Sequence, residues 1–336
     1  MQKFLIIQTA FIGDVVLATP LVEKLHDFFP DAKIDFLLRK GNEQLLTGHP
    51  HIHELLVWDK KQNKQRNLLR MLKRIRKNRY DKVINLQRFF ATGLLTAFSG
   101  AGENIGFDKN PLSFLFSKKI KHQVGGEAAT HETLRNLALI RDFTDDSIYK
   151  PKLYPSAADF IHIDKLISGK FITVSPASVW FTKQFPESQW ISFIKKIPGD
   201  IGICLLGGPD DVSLCESIRM ASNRDETKVL AGMLSFLQSA ALMSHATMNY
   251  VNDSAPMHFA SAMNAPVTAV YCSTIPAFGF GPLSDISHIV EIEKPLYCRP
   301  CGLHGYAACP EGHFRCALEI RQEELLEIWK FGDLKN

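Results

Sequence analysis

The stretch from Tyr250 to His258 reads YVNDSAPMH: an apolar strand pattern, then Asn252 and Asp253, then the start of a helical pattern at Met257, Phe259, Ala260 and Met263. Asn and Asp favour a helix start because their side-chain oxygens accept from the free amides of the first turn. A strand feeding a helix at the carboxyl edge of a sheet is an anion site, since unpaired amides and the helix dipole suit a phosphate. An ordinary capped strand-to-helix turn fits the same residues.

Further stretches carry chemistry of a compatible kind. SPASVWFTKQ, residues 175–184, follows a strand pattern, and its small and hydroxyl residues Ser175, Ala177 and Ser178 let backbone approach a ligand. Thr182 and Lys183 can donate to phosphate oxygens there, although Lys183 fits a surface lysine as well. TAFIGD, residues 9–14, puts Asp14 after the first strand, where a carboxylate serves either as a helix cap or as a general base. GGPDD, residues 207–211, pairs two acids that we assign to capping a helix start rather than to a metal. Cys298, Cys301, Cys309 and Cys316 are spaced C-x2-C-x7-C-x6-C. The first pair has zinc spacing and the second is wider than usual, so a structural zinc, a redox-sensitive cluster and packing thiols all stay open, with His304 and His313 as spare ligands.

The elements that position these residues alternate strand and helix. Strands are expected at 3–8, 34–38, 53–58, 81–86 and 104–107, and helices at 15–28, 43–47, 64–78, 89–98 and 131–143. Pro151 and Pro155 break the pattern, which then restarts with strands at 171–175, 202–206, 228–230, 247–251 and 267–271 separated by helices. This predicts an α/β chain of two doubly wound domains, 1–153 and 154–320, facing a central cleft, with a terminal helix at 321–336 offered back to the first domain.

Composition narrows the function. With 46% hydrophobic and 22% charged residues and a net charge of +4, the chain is globular, with no global case for nucleic acid. The opening apolar run, Phe4 to Ile7, is too short for a signal peptide, and no run approaches the ~18 apolar residues of a membrane span, so a cytoplasmic protein is expected. An odd count of seven cysteines then argues against a disulfide framework. The first strand-to-helix turn holds one glycine, Gly13, where a dinucleotide fingerprint needs three, which disfavours a nicotinamide or flavin dehydrogenase. Residues 60–79 carry ten basic side chains, Arg70, Lys73 and Arg74 among them, and no acid. Such a helix is either a solvated face or a surface for anionic lipid headgroups or a phosphorylated acceptor; nucleic acid is weakened by the lack of interleaved exposed aromatics.

GDVVLATPLVEKL (13–25), SPAS with TKQFPESQW (175–190), LLGGPDD, AGMLSFLQSAALM (231–243), VNDSAPMHFASAMNAPVTAVY and the CRPC tail occur in one order along nearly the whole chain. Together they resemble glycosyltransferase family 9, the heptosyltransferases of the lipopolysaccharide inner core. The resemblance implies a GT-B fold of two Rossmann-like domains, with acceptor in the N-terminal one and donor nucleotide in the C-terminal one. It implies Asp14 as catalytic base and Lys183 on the donor diphosphate. Asp253 and Ser254 match the donor motif, His258 lies near the sugar, and Gly232 and Met233 lie by the adenosine, with Ser175, Ser178 and Thr182 completing the donor wall. Ala255 stands where the family usually has glycine, placing a methyl group at a point of close backbone approach.

The expected function is therefore inverting, metal-independent heptose transfer from ADP-heptose to the lipopolysaccharide core. The protein is expected to act as a monomer, cytoplasmic and peripheral on the inner membrane, with Arg70, Lys73, Arg74 and Arg88 toward acceptor or membrane. The alternatives are another nucleotide sugar or core acceptor, or a non-catalytic nucleotide-sugar-binding module.

Overall fold

Runs such as Phe4-Leu5-Ile6-Ile7, buried at every position, belong to strands covered on both faces, as in a parallel sheet flanked by helices. The computed structural model describes residues 1–126 and 130–333. The chain divides into two compact units, Met1–Tyr154 and Pro155–Asn336.

In the first unit the strands are β1 (Lys3–Ile7), β2 (Lys33–Arg39), β3 (Glu54–Trp58), β4 (Lys82–Asn85), β5 (Glu103–Phe107) and β6 (Lys118–Ile120). Its helices are α1 (Ile12–Val16), α2 (Thr19–Phe28), α3 (Lys64–Asn78), α4 (Phe90–Ala97) and α5 (Glu132–Leu137). The strands run parallel in the order β3-β2-β1-β4-β5-β6. The second unit holds β7 (Phe171–Ser175), β8 (Gly202–Leu205), β9 (Thr227–Val229), β10 (Met248–Asn252), β11 (Val267–Tyr271) and β12 (Ser287–Glu291). Its helices are α6 (Ala157–Leu166), α7 (Glu187–Lys196), α8 (Val212–Ser222), α9 (Phe236–His245), α10 (Ala255–Ala262), α11 (Arg315–Leu318) and α12 (Gln322–Asp333). Its order, β12-β11-β10-β7-β8-β9, is the same winding, parallel throughout. In each sheet the strand order reverses between the first and fourth strands, β1/β4 and β7/β10, and in such sheets ligands bind at the carboxyl ends of those strands.

Several elements differ from the sequence expectation. The helix expected over 15–28 is two helices, because Pro20, in the first turn of α2, has no N–H to continue α1. The helix expected over 131–143 shortens to α5 followed by a 3-10 turn at Arg141–Phe143. The edge strands β6 and β12 and the helix α6 carry too little periodic apolar signal to be expected. Helix α3 spends its apolar face on folding: Met71 and Ile75 are buried with Leu5, Leu56 and Trp58 in one cluster. The terminal helix buries Leu325 and Trp329 in the core of the second unit, where it packs on α7 and β12, and Tyr250 donates to the Leu325 carbonyl at 3.2 Å.

Candidate active site

At the β1/β4 switch point, Ile7 lies beside Asn85 in register, so the loops after β1 and β4 leave the sheet as neighbours. Asp14 sits in the first turn of α1, half-buried, and its Oδ2 accepts from the Phe11 amide at 3.2 Å. Burial, with the Glu132 carboxylate second, pushes its pKa up to about 6, while the Phe11 amide and Asp14's own pull the other way. Glu132 itself stays ionised: burial would raise it, but His122, its Nε2 3.5 Å away, and the Arg135 guanidinium, which donates at 2.6 Å, hold it below the usual carboxylate range. Asp14 is thus a carboxylate poised to exchange a proton near neutrality, which a cap alone does not require.

The same crevice holds polar groups that sequence reasoning missed. Gln8, Asn85 and Gln87 are buried at the strand ends; Gln87 Nε2 donates to Gln8 Oε1, and the Gln87 amide to Asn85 Oδ1 at 2.9 Å. Asn85 Nδ2 and Gln87 Oε1 have no hydrogen-bond partner although buried, a condition that favours a hydroxyl-rich ligand or water beside them. Lys60 donates to the Thr9 carbonyl at 3.2 Å and hydroxyl at 2.6 Å, and its ammonium lies 4.8 Å from the Trp58 ring centre. Burial, then Arg39, lowers it to about 8. The available signal is position: Gln8, Gln87 and Lys60 are polar residues just past apolar strands, although Lys60 also belongs to the basic run.

In the second unit, Ser175 pairs with Val251 in register, which sets the 175–184 loop beside Asn252 and Asp253. Lys183 Nζ lies 2.6 Å from Asp253 Oδ2, and the Thr274 hydroxyl donates to that same oxygen at 2.6 Å. Asn252 accepts from the Phe185 amide at 2.9 Å and donates to the Pro176 carbonyl at 2.8 Å, holding the loop against the strand end. This corrects the expectation that Asn252 and Asp253 cap the helix. The residue preceding α10 is Ser254, and its side chain makes no cap hydrogen bond; in the first turn Pro256 has no N–H and the Met257 amide donates to the Ser254 carbonyl at 3.1 Å.

Of the remaining residues expected here, Ser175 is buried with its hydroxyl unpartnered, Thr182 and His258 are buried, and Ala255 opens α10. The Ser178 carbonyl accepts from Gln184 at 2.7 Å. Gly232 adopts φ +72° and a Cβ there would stand 3.0 Å from Pro209 Cα, so a glycine is required where this turn crosses the GGPDD turn, and it leaves Met233 exposed. In GGPDD, Asp211 accepts from the Gly208 amide at 2.7 Å, the capping role assigned to it.

The basic residues divide. Arg70 and Arg74 line a groove of about 370 Å³ with Trp58, Asn63 and Asn67, and Arg74 pairs with Glu54 at 2.8 Å. Lys73 does not line that groove. Arg88 is on the loop after β4, 6.0 Å from the exposed Phe89 ring. All seven cysteines are free thiols. In the tail, Cys298 Sγ lies 3.8 Å from His313 Nε2, Cys301 Sγ donates to the Cys298 carbonyl at 3.1 Å, and burial pushes Cys316 up to about 12. Among the described residues no group of three or more His, Cys, Asp or Glu side chains is arranged to hold a metal ion.

Residues 68–303 match the model of glycosyltransferase family 9 (heptosyltransferase). Lipopolysaccharide heptosyltransferase 3 of Escherichia coli is 27% identical over 283 residues, covering 79% of this chain and 82% of that protein. Lipopolysaccharide heptosyltransferase 1 of Campylobacter coli is 23% identical over 99% of this chain and 100% of its own length. Among solved structures, E. coli ADP-heptose lps heptosyltransferase II superposes with a TM-score of 0.82 at 21% identity over 99% of both chains. A family 9 glycosyl transferase from Veillonella parvula gives 0.87 at 19% identity over 100% of this chain and 98% of its own. The two six-stranded parallel sheets are thus those of a GT-B-like fold, and the chain belongs to glycosyltransferase family 9, the heptosyltransferases.

Proposed function

We propose that this heptosyltransferase moves heptose from ADP-heptose to the inner core of lipopolysaccharide with inversion at the anomeric carbon. Asp14 takes the proton from the attacking acceptor hydroxyl as the new bond forms to the anomeric carbon and the bond to the ADP oxygen breaks. Lys183 and the positive end of the α10 dipole meet the negative charge that builds on the departing diphosphate. Asp253 holds Lys183 in place, Ser175, Ser178, Thr182, Ser254, Ala255 and His258 line the donor, and Gly232 and Met233 flank the adenosine. On this reading the leaving diphosphate needs no divalent ion. The observation that carries this reading is the Lys183–Asp253 pair, 2.6 Å apart at the β7/β10 switch point ahead of α10. The donor named for the E. coli structure supports ADP-heptose.

On the acceptor side, the orphaned amides of Asn85 and Gln87 suit sugar hydroxyls, and Arg70, Lys73, Arg74 and Arg88 suit the phosphates of a membrane-borne acceptor. Among the described residues no helix is long and apolar enough to cross a membrane, so on this reading the enzyme meets the lipid surface from the side. Incubation with ADP-heptose and truncated core acceptors, read by mass spectrometry, should show one heptose added and ADP released in equal amount. Absence of ADP release with every core acceptor would sink the proposal.

A further inference from the structure

The cysteine-rich tail has no part in the chemistry above, yet it encloses the loop that carries Lys183. Tyr306 closes a two-way backbone contact on Thr182: the Thr182 amide donates to the Tyr306 carbonyl at 3.1 Å, and the Tyr306 amide donates to Thr182 Oγ1 at 2.8 Å. Ser273 then donates to the same Thr182 from its amide at 3.2 Å and its hydroxyl at 3.0 Å. On the other side the Phe314 ring lies 4.9 Å from that of Phe181. The tail also holds the segment that supplies Thr274. Cys301 donates its amide to the Ser273 carbonyl at 3.0 Å, and the Arg299 guanidinium donates to the carbonyls of Cys272 at 2.7 Å and Thr274 at 2.8 Å. Both partners of Asp253, Lys183 and Thr274, are therefore fixed from behind by one stretch of chain.

Gly305 is the point of closest approach. It adopts φ +77°, and a Cβ there would stand 2.9 Å from Lys183 Cγ, 3.0 Å from Thr182 Oγ1 and 3.2 Å from Trp180 Cβ. Neither neighbour yields easily. Thr182 Oγ1 is held between the Tyr306 amide and the Ser273 hydroxyl, and moving Lys183 at Cγ swings its ammonium away from Asp253. We propose that the 299–314 segment is the positioning element of the donor site, with Gly305 and the Tyr306 backbone setting where the Lys183 ammonium stands. The proposal rests on Lys183 being the diphosphate ligand.

The test compares Gly305→Ala, Lys183→Ala and the double variant in the full-length protein, reading ADP affinity by calorimetry and KM for ADP-heptose and acceptor separately. Displacing a catalytic-site group by about an ångström costs on the order of ten- to a hundredfold, so Gly305→Ala should weaken ADP and raise the donor KM by that order and leave the acceptor KM unchanged. The double variant should be no weaker than Lys183→Ala alone, because both changes remove one interaction. Should Gly305→Ala fail to fold, Phe314→Leu loosens the same loop and should raise the donor KM by roughly three- to tenfold, again without effect once Lys183 is gone. Additive losses, an acceptor KM that moves equally, or a donor KM within about twofold of the parent would overturn the positioning role, that threshold being a small fraction of the loss expected from misplacement. If Lys183→Ala itself left ADP affinity unchanged, the donor-site reading would fall instead.

Discussion

Replacing Asp14 by Asn separates a catalytic carboxylate from a helix cap, because the two roles predict opposite changes in stability. Asn keeps an oxygen able to accept from the Phe11 amide, so the local contact at 3.2 Å survives. What is lost is the ionised form. Burial pushes the carboxyl up to about 6 in the folded protein from its ordinary value of 3.8. A carboxylate whose pKa is raised on folding binds more protons folded than unfolded, so its ionisation lowers stability as pH rises between those two values. The shift of roughly two units corresponds to about 3 kcal/mol, of which Asn, itself polar and half-buried, should recover about 1–3 kcal/mol at pH 7. Thermal unfolding should show the variant melting ~2–4 °C higher for each kcal/mol recovered, with the difference opening between about pH 4 and 6 and level above 7. Activity should move the other way, falling by roughly 10²- to 10⁴-fold on loss of a general base while ADP-heptose binding is kept. In the parent enzyme kcat/KM should be at half its plateau near pH 6 and about a tenth at pH 5, following the ionised fraction. A lower melting temperature for Asp14→Asn at pH 7, a flat pH profile from 5 to 8, or activity within about tenfold of the parent would refute the assignment, since a base of this kind contributes more than that.

Other expectations follow from the same geometry. Glu23 is held down at about 2: burial opposes this, but His49, its Nε2 3.4 Å away, and the Tyr154 hydroxyl, which donates at 2.8 Å, outweigh it. A depressed carboxylate stabilises above its unfolded pKa and loses that contribution as pH falls, so Glu23→Gln should cost the first unit about 2–3 kcal/mol at pH 7, with the penalty fading between about pH 4.5 and 2 in acid-unfolding curves. Charge reversal of Arg70, Lys73 and Arg74 together should reduce transfer to acceptor in anionic vesicles by tenfold or more, at roughly 1 kcal/mol per charge, and spare a soluble truncated acceptor; equal loss on both would remove the membrane role of α3. Chelation with EDTA should leave turnover unchanged, because Lys183 and the positive end of the α10 dipole meet the charge on the leaving group; loss restored by a divalent ion would contradict this.

Much of the architecture was legible in the chain. Apolar runs of strand length alternating with helical periodicity, interrupted at Pro151 and Pro155, specify doubly wound sheets, since both signals are local and repeat along the sequence. Asp14, Lys183 and Asp253 were visible as polar residues just past such runs. Their state was not. Lys183 meets Asp253 only because the register of β7 on β10 brings together residues 70 positions apart. Asp14 acquires its raised pKa from burial and from Glu132, far along the chain. The use of Asn252 as a tie to Phe185 and Pro176 rather than a cap, and the placement of Gly305 against Lys183, belong to the same class. Local composition sets which elements form; what a side chain contacts, and whether it is charged there, depends on burial and on partners that only chain closure supplies.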